Sequence, residues 1–202
     1  MLNDSRVKDN PNYITLEVAS QLLNQVKRIS VIGCSGGGKS TLSQRLSSAL
    51  NLEYISIDRD VRWLPGWKVR EASERRALYK HWVQGDRWIM DGTSPASFDV
   101  RLPRTDLVLW IRVPRRVALA SVYKRVFKYY GTTRPDMASG CLEQMPDREF
   151  LSYIWNFEKK TAPVVIRQLQ AHGSGVPILV LNSHRDMQLL TDQITANSDS
   201  SD

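Results

Sequence analysis

Eight consecutive residues, Gly33-Cys34-Ser35-Gly36-Gly37-Gly38-Lys39-Ser40, carry the densest chemistry in the chain. They read G-x-x-x-x-G-K-S, with an apolar run before them and a Leu42, Leu46, Leu50 repeat after them. Strand, glycine-rich turn and helix are the parts an anion cradle needs. Glycines let the backbone curl so that successive N–H groups point inward. The following helix N-terminus adds partial positive charge. Gly33, Ser35, Gly36, Gly37, Gly38, Lys39, Ser40 and Thr41 are therefore expected to hold the phosphates of a nucleoside triphosphate, a cradle that by itself leaves ATPase, GTPase, motor and kinase open. Lys39 would reach the β- and γ-phosphates, and the Ser40 hydroxyl would ligate Mg²⁺. No base pairs with Cys34, which is read as a small packing residue.

Two carboxylates follow apolar runs. Asp58 comes after 54–57 and Asp91 after 88–90. In an open α/β sheet, ligands bind beyond the C-terminal strand ends, so both would open toward the phosphates. Asp91, within Trp88-Ile89-Met90-Asp91-Gly92, is the nearest match to a Walker B strand. It is expected to hold Mg²⁺ through water, because that ion keeps much of its hydration shell. Asp58 could orient an acceptor hydroxyl, contribute to the metal site or simply cap the next helix. Asp60 could share that role or simply cap the next turn.

A third group is basic: Arg115, Arg116, Lys124, Arg125, Lys128 and Arg134. Lys124, Arg125 and Lys128 share one helix face, opposite an apolar stripe of Leu119, Val122, Tyr123, Val126, Phe127 and Tyr130. Phosphoryl transfer is mostly positioning and electrostatics. Arg125 and Arg134 are expected on the transferred group, beside a Gly/Pro/Thr-rich segment, 131–145, with the composition of a lid. A solvated basic face is the competing reading.

The elements that must position these groups alternate along the chain. Strands are expected over 29–32, 54–57, 88–90, 107–113 and 177–181. Between them run helical patterns at Leu42/Leu46/Leu50, at Leu78/Trp82/Val83, along the basic stripe, and at Phe150/Ile154/Phe157/Val165. Pro163 should break the last of these. Such alternation means a parallel sheet with helices on both faces, an α/β fold. Residues 1–26 read as an N-terminal extension with a surface helix over 13–26, residues 27–196 as the single folded domain, and 197–202 as a polar, disordered tail.

Composition bounds the rest. With 202 residues, 42% hydrophobic and 24% charged, the chain suits one globular domain. No apolar run is long enough to span a membrane, and the start lacks a signal-peptide pattern. The two cysteines, Cys34 and Cys141, are far apart and suggest a reducing cytoplasm rather than a disulfide framework. A net charge of +7 implies anionic partners. Nucleotide phosphates fit; nucleic acid is possible, but no helix-turn-helix, zinc-finger or Arg/aromatic motif supports it. An N-K-x-D motif is absent, which counts against a GTPase. The chain is expected to be a monomer or small homo-oligomer. His81, His172 and His184 show no metal spacing. Trp82, Trp88 and Trp110 are assigned to the core, while Trp63 and Trp67, in a Pro/Gly loop, could line an acceptor pocket.

The strand, the P-loop, Asp58, the 88–92 segment and an apolar strand ending in Val113-Pro114 resemble nucleoside monophosphate kinases. More narrowly, Trp63, Pro65-Gly66-Trp67, Arg134-Pro135-Asp136-Met137, Gly140-Cys141 and Trp155-Asn156-Phe157 resemble the bacterial topology-modulation (FlaR-like), adenylate-kinase-related proteins. The resemblance covers roughly 27–170. It implies a P-loop nucleoside-triphosphate hydrolase fold, a five-stranded parallel sheet in the order 2-3-1-4-5 with a lid, and a kinase using ATP and Mg²⁺. It also implies an adenine-contacting loop at Asn182-Ser183-His184-Arg185, which makes Arg185 a candidate for the base. Adenylate kinases carry Gly-Phe-Pro-Arg after the third-strand Asp, where this chain has Gly92-Thr93-Ser94-Pro95, and Arg101 could replace the missing arginine. The acceptor is unidentified. An ATP-binding regulator of DNA topology or expression, without small-molecule kinase activity, is the alternative.

Overall fold

The structure is a computed structural model describing residues 11–199. β1 (Tyr13–Ile14) and α1 (Leu16–Leu23) lead into β2 (Arg28–Gly33), the P-loop and α2 (Lys39–Leu50). After β3 (Glu53–Ser56) come a wide helical turn, Ile57–Arg62, and a hairpin of β4 (Trp63–Leu64) and β5 (Lys68–Val69). Then follow α3 (Ala72–Trp82), β6 (Trp88–Asp91), α4 (Phe98–Arg101), β7 (Leu107–Ile111) and α5 (Arg115–Tyr129). Beyond a long connection, α6 (Arg148–Lys160), α7 (Ala162–His172), β8 (Ile178–Leu181) and α8 (His184–Asp199) complete the described chain. Residues 1–10 of the N-terminal extension and 200–202 of the tail lie outside the described residues, while residues 197–199, expected as disordered tail, continue the backbone of α8.

The main sheet has six strands in the order β1-β8-β7-β2-β6-β3, and every neighbouring pair is parallel. Five of them, β3-β6-β2-β7-β8, stand in the expected 2-3-1-4-5 order. The sixth, β1, is an addition at the edge, where helix was expected from residue 13. Thr15 sets the true start of that helix: its hydroxyl accepts the Val18 N–H at 3.3 Å, so Tyr13 and Ile14 stay extended and pair with Ile178 and Leu179.

Helices cover both faces, which is why β2, β6 and β7 are mostly apolar and, Arg28 apart, buried. On one face Leu42, Leu46, Val122 and Leu190 pack against Val31 and Leu109. On the other, Phe98, Val165 and Leu169 pack against Ile32 and Trp110. One carboxylate aligns the sheet at its N-terminal edge. Asp106 Oδ2 accepts the Lys27 and Arg28 N–H groups at 3.0 and 2.9 Å, and Oδ1 accepts Arg28 Nη2 at 2.8 Å. Register then brings Asp91 beside Val31 and Ser56, at the open end of the sheet.

Pro163 falls in the first turn of α7, where its missing N–H is harmless, and the apolar pattern divides there into two helices. The stripe on α5 is narrower than its sequence suggests. Ala118, Val122 and Val126 are buried, but Tyr123 and Tyr130 are exposed and Phe127 is 92% exposed. The packed face therefore follows the small aliphatic residues rather than the aromatic ones.

Candidate active site

The P-loop is shaped by backbone contacts that exclude side chains. Gly33 has φ +140°, and a Cβ there would lie 2.2 Å from the Ile111 carbonyl oxygen. Gly36 has φ +77°, and its Cβ would lie 2.2 Å from the Ala118 carbonyl oxygen. Only glycine fits either position, so β7 and α5 press directly on the loop. Thr93 braces it from the turn after β6: its hydroxyl donates to the Gly33 carbonyl and accepts the Gly33 N–H, both at 2.7 Å. Lys39 Nζ donates to the Cys34 carbonyl at 3.0 Å. Burial pushes the Cys34 thiol up to about 11 despite nearby Lys39, which suits a packing residue.

Strand β6 delivers Asp91 to the side of this loop. The side chain is 4% exposed, and Oδ2 accepts the Tyr54 hydroxyl at 3.3 Å. Oδ1 is buried with no partner among the described residues. Burial raises the Asp91 carboxyl above its ordinary range; Lys39 and the Ser40 hydroxyl oppose that, and Asp58 and Asp136 add to it. Lys39, Ser40, Asp58 and Asp136 thus all lie within electrostatic reach of one buried carboxylate. A lone buried oxygen beside a serine hydroxyl fits a hard divalent cation. No group of three or more His, Cys, Asp or Glu able to hold a metal occurs among the described residues. Ser40 and Asp91 would accordingly hold Mg²⁺ together with water and phosphate oxygens.

The remaining carboxylates divide by environment. Asp58 is exposed at the start of the 57–62 turn and makes no hydrogen bond or ion pair through its side chain among the described residues. Asp60 caps: Oδ2 accepts the Ser56 N–H at 2.8 Å, and Arg59 holds the carboxylate at 2.7 Å. Of its two readings, the cap is the one its contacts support.

The 130–147 connection folds back on itself, with Glu143 N–H on the Thr132 carbonyl and Gly131 N–H on the Glu143 carbonyl. It gathers both predicted arginines at one acid. Arg125 Nε donates to Glu143 Oε1 at 2.8 Å, and Arg134 Nε donates to Oε2 at 2.7 Å. Arg134 Nη1 also reaches both Asp136 oxygens, at 3.0 and 2.9 Å. Asp136 is tied in turn to β3 by the Ser56 hydroxyl on its carbonyl at 3.1 Å.

Trp63 and Trp67 meet edge to face, 5.3 Å between centroids, and pack on Met137, Ala138 and Cys141. Trp67 Nε1 donates to the Leu142 carbonyl at 2.9 Å. The hairpin is thereby fastened to the lid segment. Arg101 is fully buried, its Nη1 on the Gly92 carbonyl at 2.9 Å. It braces the turn after β6 and is not open to an acceptor. Arg185 and Thr41 are exposed, and Asn182 to Arg185 borders the P-loop, with His184 Nε2 3.5 Å from a Cβ built on Gly38. Trp88 and Trp110 are core and Trp82 is half-buried. Sequence reasoning missed Tyr54, Thr93 and Glu143. Each is an ordinary residue whose importance comes from a neighbour distant in sequence.

No protein-family model matches the chain. It is 29% identical over 148 residues to the uncharacterized protein YqaC of Bacillus subtilis (strain 168), covering 72% of this chain and 81% of that one. A solved shikimate kinase from Acinetobacter baumannii, in complex with shikimate, superposes with a TM-score of 0.56 at 13% identity, over 90% of this chain and 98% of that one. Shikimate kinase from Bacteroides thetaiotaomicron gives 0.51 at 15% identity, over 86% and 99%. At such identities the likeness is one of architecture, and the chain has the fold of the P-loop kinases.

Proposed function

We propose that the chain is an ATP-dependent phosphotransferase acting on a small acceptor that bears a hydroxyl or phosphate. The observation that carries this reading is the buried Asp91 carboxylate, with a lone oxygen beside Ser40 and Lys39 on a loop that admits no Cβ at Gly33 or Gly36. In this reading the P-loop N–H groups and Lys39 hold the phosphates, while Ser40 and Asp91 hold Mg²⁺. The ion supplies charge neutralisation on the phosphate oxygens when bound. Asp58, whose side chain makes no hydrogen bond or ion pair among the described residues, accepts the acceptor's proton as the acceptor oxygen bonds to the γ-phosphorus and the bond to the β-phosphate oxygen breaks. Arg125 and Arg134 face the charge that spreads over the transferred group. Thr41 and Arg185 lie at the edge of the nucleotide site, Arg185 on the side of the base. The topology-modulation resemblance belongs to this reading as a family expectation, as do the cytoplasmic setting and the monomeric or small homo-oligomeric state.

Lys39→Ala tests it. ATP affinity measured by calorimetry with Mg²⁺ should fall at least about tenfold, equivalent to about 1.4 kcal/mol. ATP consumption screened against nucleosides, nucleotides, sugars and shikimate-like acids should identify an acceptor for the natural chain and none for the variant. Unchanged ATP affinity in Lys39→Ala would overturn the assignment.

A further inference from the structure

Glu143 is the most enclosed acid of the lid segment, at 4% exposed, and it is shared by two guanidinium groups. Each of its oxygens takes one Nε–H, from Arg125 on α5 and from Arg134 on the lid itself. That choice of donor matters. An arginine bound through Nε alone keeps both Nη groups for another oxyanion, and among the described residues this is the state of Arg125. Arg134 gives Nη1 to Asp136 and keeps Nη2. A single buried carboxylate therefore fixes both planes while leaving their outer N–H groups unspent. It also offsets the repulsion between two cations held close together. Burial and the neighbouring Arg134 both push the Arg125 guanidinium below its ordinary value, and Glu143 works against them.

The position of Glu143 is itself overdetermined. Its backbone N–H and carbonyl are engaged by Thr132 and Gly131. The two residues before it are bound to the tryptophan hairpin: Trp67 N–H lies 3.3 Å from Cys141 Sγ, and Trp67 Nε1 lies 2.9 Å from the Leu142 carbonyl. On the other side, α5 is seated on the P-loop, since Gly36 lies against Ala118 and Val122, about two turns and one turn before Arg125. An acid anchored at both ends thus sets how two arginines stand relative to the phosphate cradle.

We infer that Glu143 is a positioning residue, which aligns Arg125 and Arg134 so that their free Nη groups meet the terminal phosphate of a bound triphosphate. The inference rests on the phosphotransferase reading for its ligand but not for its geometry. It makes discrimination between ATP and ADP the sensitive quantity, because ADP lacks the phosphate the arginines would meet.

Two measurements on the full chain test this. Calorimetry with ATP and with ADP, in Mg²⁺, compares the natural chain, Glu143→Gln, Glu143→Asp and Asp99→Asn. The last removes an exposed ion pair, Asp99 with Arg76, remote from the lid. A neutral amide offers one acceptor oxygen where the carboxylate offers two. Glu143→Gln should therefore lose about tenfold in ATP affinity, a loss typical of a displaced charge-assisted contact, with ADP affinity unchanged. Glu143→Asp should restore part of the loss, and Asp99→Asn should match the natural chain. Equal losses for ATP and ADP, or none, would overturn the inference. The second measurement is hydrogen exchange at the arginine Nε–H groups by NMR, without nucleotide. Arg125 and Arg134 should both be protected in the natural chain, and at least one of them should be exposed to exchange in Glu143→Gln; protection of both that survives the substitution also overturns it. A natural chain that binds no ATP, yet shows the protected pair, would sink the phosphotransferase reading and with it the phosphate role of Glu143, leaving the acid a structural clamp.

Discussion

At the scale of single residues, Asp91 illustrates how a site can be built against stability. Its carboxylate is buried with one oxygen unmatched, and an ionised group in that position is poorly solvated. Burial holds its folded-state pKa above the ordinary value. Between the unfolded value and that raised one, the folded chain binds more protons than the unfolded chain. Stability contributed by the neutral acid is thus present at low pH and lost as pH rises through the window. Asp91→Asn removes the ionisable group but keeps an acceptor for Tyr54. Its thermal midpoint at neutral pH should rise, its acid-side stability slope should flatten, and Mg²⁺-dependent ATP binding should drop. A lower midpoint at neutral pH would show that the charge is compensated by groups already in place. Gly36→Ala tests the neighbouring loop by sterics alone. Its Cβ would sit 2.2 Å from a backbone oxygen at φ +77°, so the substitution should cost at least about 2 kcal/mol in urea unfolding. Unaltered stability would mean that α5 can move off the loop. Asp91 and the glycines were legible from strand position and motif spacing. Tyr54 was not, because its partner Asp91 lies on another strand and only the register of β3 on β6 brings them together.

At the scale of elements, periodicity read well where burial follows it. The five strands β2, β3, β6, β7 and β8 and the break at Pro163 come directly from apolar runs and a missing N–H. On α5 the same rule misleads, because Tyr123 and Phe127 satisfy an apolar spacing while facing away from the core. The hairpin of β4 and β5 has only two residues per strand, too few for any alternation to register. The lid has no period at all, and its order comes from contacts with the hairpin and α5. This makes Trp67 a test of the element rather than of itself. Trp67→Phe keeps the ring against Trp63 but deletes the bond from Nε1 to the Leu142 carbonyl. The loss should be about 1 kcal/mol, felt locally: amide exchange at Gly131 and Glu143 should accelerate while α2 and β7 amides hold their rates. Equal exchange in both proteins would mean the lid is held without the hairpin.

At the scale of the whole molecule, the N-terminal segment is woven into the sheet. The Ile178 N–H donates to the Asn12 carbonyl at 2.8 Å, and Tyr13 and Ile14 pair with Ile178 and Leu179. Behind them Ala19 and Leu23 of α1 are buried with Leu190 and Ile194 of α8. The sequence pattern marked the helix but could not show the strand, since two residues beside a proline-containing start carry no alternation. β1 lies at one edge of the sheet and the P-loop two strands inward from β8, so the consequences of removing β1 should separate stability from binding. Deleting residues 1–14 would strip backbone partners from β8 and expose an edge strand to solvent and to other chains. Unfolding stability should fall by about 1–3 kcal/mol, with greater aggregation on heating. ATP affinity should stay that of the full chain, because β2, β6, β7 and α5, which shape the cradle, keep their neighbours. A deletion that leaves stability unchanged would show that β1 adds nothing to the sheet. A deletion that lowers ATP affinity while the chain stays folded would show that the edge strand is coupled to the loop through β8 and β7, and would place the boundary of the functional unit at Tyr13 rather than at the first residue of β2.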